Sequence, residues 1–229
     1  MRAWKVDDVM TEAVVSVQQT ASYRTVVDLL VGCRFSAVPV VDDFQRVTGV
    51  VSEADLLRKI EYAGVETPRL FDGRRRRGAR AKARAGTAAE LMSSPPVVAL
   101  VGTPLAAAAR LMDAEQVKRL PVVNDLGRLV GIVSRGDLLK VYLRPDDEIQ
   151  QDVHTGVLTP LLAEAANKVT VAVAQGAVTL TGRVERWTTA DTVVRLTHQV
   201  AGVVEVFDEV EFDVDDRYTV APGLVYGVA

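Results

Sequence analysis

The sequence has 229 residues and a net charge of −3, and it is 48% hydrophobic, 25% charged and 5% aromatic. This is an ordinary globular composition, and it contains no run of about 18 apolar residues that could span a bilayer. The length suits two or three compact units. Valine, which favours strands, and alanine, which favours helices, supply most of the apolar content, so a mixed α/β fold is expected.

Cysteine and histidine are too few to predict disulfide bonds, a metal site or catalysis by these side chains. Cys33 is the only cysteine, so no disulfide can form within the chain, and its apolar neighbours predict a buried thiol. His154 and His198 have no cysteine or histidine at ligand spacing, which predicts no metal site. No activated nucleophile or histidine–carboxylate pair is visible, so we expect a protein that is not an enzyme. The first residues lack the apolar stretch of a signal peptide, so a cytoplasmic location is expected.

The chain contains an internal repeat. Four pairs of landmark residues are each 82 positions apart: Met10 and Met92, Pro39 and Pro121, Gly49 and Gly131, Asp55 and Asp137. One offset at four separate places predicts two copies of the same unit, which we assign to residues 5–63 and 87–144.

Both copies predict the element order β-α-β-β-α. In the first copy these are a strand at 14–17, a helix opened by Ser22, strands at 37–41 and 47–51, and a helix opened by Ser52. In the second copy Thr103 and Pro104 open the first helix and Ser134 opens the last. A small sheet with helices on one side leaves an apolar face uncovered, so the two copies are expected to pack together.

Residues 64–86 form a basic linker between the copies. Residues 69–84 contain eight lysines and arginines against one aspartate, including four consecutive arginines at 74–77. Phe71 is the only aromatic residue there, and no stacking pattern is visible, so nucleic acid is not expected as a partner. A flexible, solvated loop is predicted, and a clamp for phosphate or for a partner protein is the alternative.

The most specific pattern in the repeat is Gly, two apolar residues, Ser, any two residues and Asp. It occurs twice in full and ends at Asp55 and at Asp137, with Ser52 and Ser134 three positions earlier. One interpretation is structural, because a serine caps a helix and an aspartate in the first turn favours the helix dipole. The other is a ligand site, because a helix start binds anions and a carboxylate can accept from both hydroxyls of a ribose.

These residues, over about 5–143, resemble a tandem pair of CBS domains. The resemblance implies that the paired serine and aspartate hold the phosphate and ribose of an adenosine compound, while Val50 and Ile132 flank the base. It implies AMP, ADP, ATP or S-adenosylmethionine as a regulatory ligand without choosing among them. It also implies a homodimer.

The two implied sites differ in charge. Lys118 and Arg119 stand just before the strand proline of the second copy, where the first copy has Ser36 and Ala37. In the family, basic residues at these positions reach the phosphates of a nucleotide held by the aspartate of the other repeat.

By this resemblance the Asp55 site gains both cations, whereas the Asp137 site gains only Ser36, with Arg135 as a partial substitute. We therefore predict that the Asp55 site binds phosphorylated ligands more strongly. The alternative for the two cations is a solvated rim.

The pattern changes over residues 147–215. The predicted elements are a helix that starts at 146–148 and runs through His154, strands at 168–173 and 177–184 with a turn at 175–176, a helix at 188–200, and a strand ending near Val214. This α-β-β-α-β stretch resembles a BON domain in its valines at 171, 173, 178 and 184 and its glycines at 176, 182 and 202. The resemblance implies interaction with phospholipid or a membrane surface, and a role in protein interaction is the alternative. Residues 216–229 are predicted to be a short apolar tail.

Two functions remain open from the sequence. The first is a sensor in which a nucleotide shifts the repeat pair between states and the BON-like domain transmits the change. The second is a structural adaptor whose clefts are vestigial and whose BON-like domain docks on a membrane surface or on a partner protein.

Overall fold

The computed structural model describes residues 4–62, 82–162 and 169–217. The chain divides into two compact units, one formed within Lys5–Leu138 and the other from Leu139 onward together with Trp4. The arginines at 69, 74–77 and 80 and the tail beyond Arg217 lie outside the described residues.

The first unit contains two copies of the predicted β-α-β-β-α order. The first copy consists of a 3-10 turn Val6–Asp8, β1 (Val17–Gln18), α1 (Tyr23–Cys33), β2 (Ala37–Val41), β3 (Val47–Ser52) and α2 (Glu53–Glu61). The second consists of α3 (Ala88–Leu91), β4 (Ala99–Leu100), α4 (Leu105–Ala114), β5 (Arg119–Val123), β6 (Leu129–Ser134) and α5 (Arg135–Leu139). Each copy forms a three-stranded sheet in which the first strand is parallel to the second and the second is antiparallel to the third. The predicted α/β fold class and element order are therefore confirmed.

The first strand is shorter than predicted. The apolar residues Val14 and Val15 lie before it, and the strand begins only at Val17. The parallel register pairs Val17 with Val40 and the next residue with Val41, which is the last residue of β2. Only two residues pair, so the hydrophobic run at 14–17 is not a strand over its full length.

Each repeat contributes its first segment to the sheet of the other repeat. Thr11 and Ile132 exchange two backbone hydrogen bonds of 2.9 and 3.0 Å, and Ser93 and Val50 exchange two of 2.9 and 3.2 Å. Leu91 of α3 is fully buried in the core of the first repeat. The packing unit around each sheet therefore combines residues from both sequence repeats.

The C-terminal end of the basic linker is ordered, in contrast to the solvated loop predicted for it. Residues 82–84 form a helical turn, and Ala85 is 2% exposed and belongs to the core of the first repeat. The carbonyl of Gly86 accepts from the Tyr23 N–H at 2.8 Å. Gly86 and Thr87 donate backbone hydrogen bonds to the carboxylate of Glu90, which lowers the pKa of Glu90. A charge count did not reveal this anchoring, because it depends on a few small residues that fit the core.

Cys33 is exposed, so the prediction of a buried thiol was wrong. Cys33 is the last residue of α1, and Arg34 follows it in the left-handed conformation with a φ of 55°. The buried residues of α1 are Val26 and Leu30, and Cys33 is exposed at the end of the helix although its spacing continues their face.

The two helices that follow the first strands begin differently. The Ser22 hydroxyl accepts the N–H of Thr25 at 3.1 Å and so caps α1, as predicted. At the start of α4 the N-cap is Pro104 without a side-chain cap, and the Thr103 hydroxyl donates instead to the carbonyl of Leu100 at 2.7 Å. The predicted hydroxyl cap at Thr103 was therefore wrong.

The Ser22→Ala variant is expected to lower the free energy of unfolding by about 1 kcal/mol, because it removes the cap of α1. Amide exchange measured by NMR should accelerate at Thr25 in this variant. In a Thr103→Ala variant the amides at the start of α4 should exchange as they do in the parent protein. Equal acceleration at both helix starts would contradict the assignment of the caps.

The second unit has the predicted α-β-β-α-β order. A 3-10 turn, Lys140–Leu143, precedes α6 (Asp146–Val153), a π turn His154–Leu158, α7 (Thr159–Leu161), β7 (Val169–Ala174), β8 (Ala177–Arg186), α8 (Trp187–Thr197) and β9 (Glu205–Val214). The strand order is β7-β8-β9, with β8 antiparallel to β7 and parallel to β9.

The start of α6 is tied to the hairpin turn of this unit. The Asp146 carboxylate accepts the N–H groups of Gln175 and Gly176 at 2.8 and 2.9 Å. Both turn residues have positive φ, 51° at Gln175 and 76° at Gly176, and a Cβ on Gly176 would lie 2.8 Å from the carbonyl oxygen of Gly202. The glycine at 176 therefore has both a conformational and a steric cause. Across the described residues of both units, no helix is both long and apolar enough to cross a membrane.

Candidate functional site

The motif serine and aspartate of the first repeat lie where β3 becomes α2. Ser52 is the N-cap residue of α2, and Asp55 is the third residue of the helix. Oδ2 of Asp55 accepts the backbone N–H of Ser52 at 2.9 Å and its hydroxyl at 2.7 Å. The carboxylate therefore lies at the helix start, where the dipole favours a negative charge.

The second repeat has the same arrangement at the start of α5. Oδ2 of Asp137 accepts the N–H of Ser134 at 2.9 Å and its hydroxyl at 2.6 Å, and the Asp137 N–H donates to the Ser134 hydroxyl at 3.2 Å. The structural interpretation of the motif thus holds in both copies, since each pair builds a helix start. This does not exclude a ligand, because the same helix start remains an anion-binding geometry.

A cleft of about 520 Å³ opens beside Asp55. One side comes from the first repeat and contains Ser36, Ala37, Val50, Ser52, Glu53, Ala54, Asp55 and Leu57. The other side consists of Ser93, Pro95, Pro96, Val97, Gln116, Val117, Lys118 and Arg119. Both sequence repeats therefore line one cleft, with a carboxylate on one side and two cations on the other.

The predicted cations of the second repeat, Lys118 and Arg119, line the same cleft as Asp55. Lys118 is exposed and Arg119 is half-buried. Nε of Arg119 donates to the hydroxyl of Ser36 at 2.8 Å, which fixes the guanidinium against the first repeat. This contact joins two residues that are 83 positions apart and that sequence analysis assigned to different sites.

Ser36 lies on the lining of the Asp55 cleft, although the resemblance assigned it to the Asp137 site. The backbone explains its position, because the Ser36 carbonyl accepts the N–H of Glu53, the first residue of α2, at 3.1 Å. The corresponding bond in the second repeat runs from the N–H of Arg135 to the carbonyl of Lys118 at 3.2 Å. The residue before the second strand of each sheet, Ser36 or Lys118, thus lies at the helix start of its own repeat.

The remaining predicted residues occupy matching places. Val50 and Ile132 are both half-buried, and each is paired through its backbone with the first segment of the other repeat. Arg135 is exposed at the first position of α5. Within the described ranges, no group of three or more histidine, cysteine, aspartate and glutamate side chains is arranged to hold a metal ion.

Lys82 contacts two residues of the cleft lining, Asp55 and Ser93, and sequence analysis missed this role. Its ammonium lies 2.5 Å from Oδ1 of Asp55 and 2.9 Å from the hydroxyl of Ser93. The side chains of Lys82 and Asp55 are 20% and 14% exposed. The residue was counted within the basic linker, and no repeat, spacing or motif distinguished it from the other seven cations there.

Comparison with known proteins agrees with this architecture. The family model of the CBS domain matches residues 6–62 and 88–144, and that of the BON domain matches residues 145–213. Two CBS domain-containing chloroplastic proteins of Arabidopsis thaliana, CBSX1 and CBSX2, are 29% and 30% identical over 140 residues. Each alignment covers 56% of this chain, which spans 58% of the length of either relative.

Solved structures match the repeat pair. The crystal structure of CBSX2 in complex with AMP has 30% identity and a TM-score of 0.53, and the match covers 61% of this chain and 97% of that one. The CBS domain pair of protein MJ0100, solved with 5′-methylthioadenosine and S-adenosyl-L-methionine, has 18% identity and a TM-score of 0.50, covering 62% and 97%. The second likeness is one of fold alone.

Proposed function

Because this chain belongs to the CBS-domain family and carries a BON domain after its CBS pair, we propose that it is a non-catalytic regulatory protein that binds an adenosine-type nucleotide in the Asp55 cleft. One observation carries the proposal. A single cleft brings the capped helix start of Ser52 and Asp55 together with Lys118 and Arg119.

The chemistry of the lining suits the three parts of a nucleotide. Asp55 is the acceptor for the two ribose hydroxyls, and the apolar surface at Val50 flanks the base. The phosphates face the two cations and the Ser52 helix start, where N–H groups and the dipole favour an anion. The cleft volume of about 520 Å³ lies within the range of about 300–1,000 Å³ usual for small-molecule sites.

Phosphorylated adenosine compounds fit this lining better than S-adenosylmethionine does. AMP, ADP and ATP bring negative charge to Lys118 and Arg119, whereas the sulfonium of S-adenosylmethionine brings a positive charge. The complex of CBSX2 with AMP, in a chain 30% identical to this one, supports an adenine mononucleotide as the ligand.

The two sites of the pair are proposed to be unequal. Lys118 and Arg119 line the Asp55 cleft, and Arg135 is the first residue of α5, the helix whose start contains Asp137. We expect the Asp55 site to be the stronger of the two for phosphorylated ligands.

Regulation requires that the occupied CBS pair act on something, and the BON domain is the proposed transmitter. Residues 145–213 contain twelve aspartates and glutamates against four lysines and arginines, a net charge of −8. Exposed Phe207 and Phe212 lie on β9 among five of these acids. Such a surface repels anionic phospholipid and favours a basic protein partner. An adaptor role through this domain, with unoccupied clefts, is therefore the second candidate function.

A homodimer is the proposed assembly, which the resemblance to CBS pairs implies. Light scattering of the purified protein should give about twice the 24.8 kDa mass of one chain. A monomer mass over the micromolar range would contradict this part of the proposal.

The deciding experiment is a thermal-shift and calorimetric screen against AMP, ADP, ATP, S-adenosylmethionine, NAD and GTP. A ligand at about 100 times its Kd should add about 2.7 kcal/mol to the free energy of unfolding. Stabilisation by an adenine nucleotide, and none by GTP, would support the sensor. If none of the compounds binds to protein that has been freed of ligand by unfolding and refolding, the adaptor function is supported in place of the sensor function.

A further inference from the structure

The ammonium of the linker residue Lys82 is bonded to the Asp55 carboxylate, which is the group proposed to bind the ribose of the ligand. One oxygen of Asp55, Oδ2, accepts two hydrogen bonds from Ser52 as part of the helix start. The other oxygen, Oδ1, accepts the Lys82 ammonium at 2.5 Å. Both carboxylate oxygens are thus engaged by the protein itself before any ligand arrives.

The Asp55 carboxylate has about four acceptor positions and the protein fills three of them, so a ribose diol that donates with both hydroxyls must replace one partner. One Ser52 bond comes from the backbone N–H of the β3–α2 junction and the other from the hydroxyl of the same N-cap residue, so both belong to the helix start. The Lys82 side chain is flexible, and its second partner, the Ser93 hydroxyl, also lies in the cleft. Lys82 is therefore the group that a diol displaces.

The chain holds Lys82 close to Asp55 even when the ion pair is open. Three residues further on, Ala85 is buried in the core of the first repeat, and the carbonyl of Gly86 is bonded to Tyr23. A tether this short keeps the ammonium at a high effective concentration next to the carboxylate. It also keeps the displaced ammonium within the cleft region.

We propose that Lys82 is a specificity-determining residue, a tethered cation that competes with the ligand for Asp55 and so selects phosphorylated nucleosides over neutral ones. The inference rests on the proposed nucleotide function and deepens it. A neutral nucleoside that displaces Lys82 leaves a cation without its partner. A nucleotide supplies a phosphate to which the released ammonium can bind, which offsets the lost ion pair.

The Lys82→Met variant tests this by calorimetry with adenosine and AMP. Methionine keeps the length of the side chain and removes the charge. Breaking a partly exposed ion pair corresponds to a change of about fivefold in affinity, so adenosine should bind about fivefold more tightly to the variant. AMP should change by less than about twofold, because the gain at the diol is offset by the lost phosphate contact.

Two further variants serve as controls. Lys59→Met is matched in chemistry and lies near the same segment, since Lys59 donates to the Ala85 carbonyl at 3.3 Å, but its ammonium contacts the Tyr23 ring and not Asp55. It should leave both affinities unchanged. Lys82→Arg keeps the charge and should retain the preference for AMP, and denaturation of Lys82→Met without ligand measures whether that variant is folded.

The outcomes separate this proposal from the proposed function. If AMP binds the parent protein and Lys82→Met leaves the ratio of the two affinities unchanged, or weakens adenosine binding, Lys82 does not compete and this inference is overturned alone. If Lys82→Met binds adenosine while the parent protein does not, the inference is supported. If neither compound binds the parent protein or any variant, the proposed function fails, and the inference fails with it.

Discussion

The Asp55→Asn variant is expected to bind AMP about ten- to a hundredfold more weakly than the parent protein, because charge-assisted hydrogen bonds from the ribose hydroxyls are worth about 1.5–3 kcal/mol. Asparagine keeps one acceptor oxygen at the helix start, so the loss should concern the ligand more than the fold. Isothermal calorimetry measures the affinity, and denaturation without ligand measures the accompanying change in stability.

Asp137→Asn is the matched control for this prediction. Asp137 makes the same two contacts with Ser134 that Asp55 makes with Ser52. The two substitutions should therefore have comparable effects on the serine–aspartate contacts, while Asp55→Asn also removes the charge that pairs with Lys82, and denaturation without ligand measures that difference. Under the proposed inequality of the sites, Asp137→Asn should reduce AMP affinity much less. Intact affinity in Asp55→Asn together with lost affinity in Asp137→Asn would reverse the assignment.

The Gly49→Ala variant is expected to lower the free energy of unfolding by about 2 kcal/mol, since overpacking a close contact typically costs about 1–3 kcal/mol. A Cβ on Gly49 would lie 2.8 Å from Cβ of Met92 and closer still to its sulfur. The Cβ of Met92 cannot move away, because it is fixed to a backbone whose next residue, Ser93, is hydrogen-bonded to Val50. Urea denaturation measures the loss.

Gly131→Ala is the comparison within the same molecule. There the added Cβ would meet the sulfur of Met10 and would lie 3.0 Å from its Cγ, atoms that a change of rotamer can move away. Its cost should be about half that of Gly49→Ala, or about 1 kcal/mol. The double variant Gly49→Ala, Met92→Ala should lose less stability than the sum of the two single variants, because the contacts of the new methyl group with the sulfur and Cγ of Met92 are removed. A larger loss for Gly131→Ala, or additive losses in the double variant, would contradict this account of the two glycines.

The repeat motif shows which structural features can be predicted from neighbouring residues alone. The offset of 82 residues placed Ser52 and Ser134 at corresponding strand–helix junctions, and both do start helices. Capping and helix-dipole preferences act within one turn, so the neighbouring residues are sufficient to predict them. The same reasoning failed at Thr103, because its hydroxyl has a competing acceptor in the carbonyl of Leu100, which a capping rule does not consider.

The resemblance placed Lys118 and Arg119 beside Asp55, and the cleft contains all three. It did not place Ser36 there. The position of Ser36 follows from a backbone bond to Glu53 that continues the antiparallel pairing of β2 and β3 beyond Ala37 and Ser52. This bond depends on the register of the two strands, which the pattern of residue types did not give.

The number of units, the order of their elements and the two serine–aspartate helix starts could be predicted from the amino-acid sequence, since these depend on periodicity and on interactions within a few residues. The three-dimensional fold was needed to show that α3 completes the core of the first repeat and that Lys82, among eight linker cations, pairs with Asp55. Both depend on contacts between residues far apart in the chain, whose partners are selected by shape and distance after the sheets have packed.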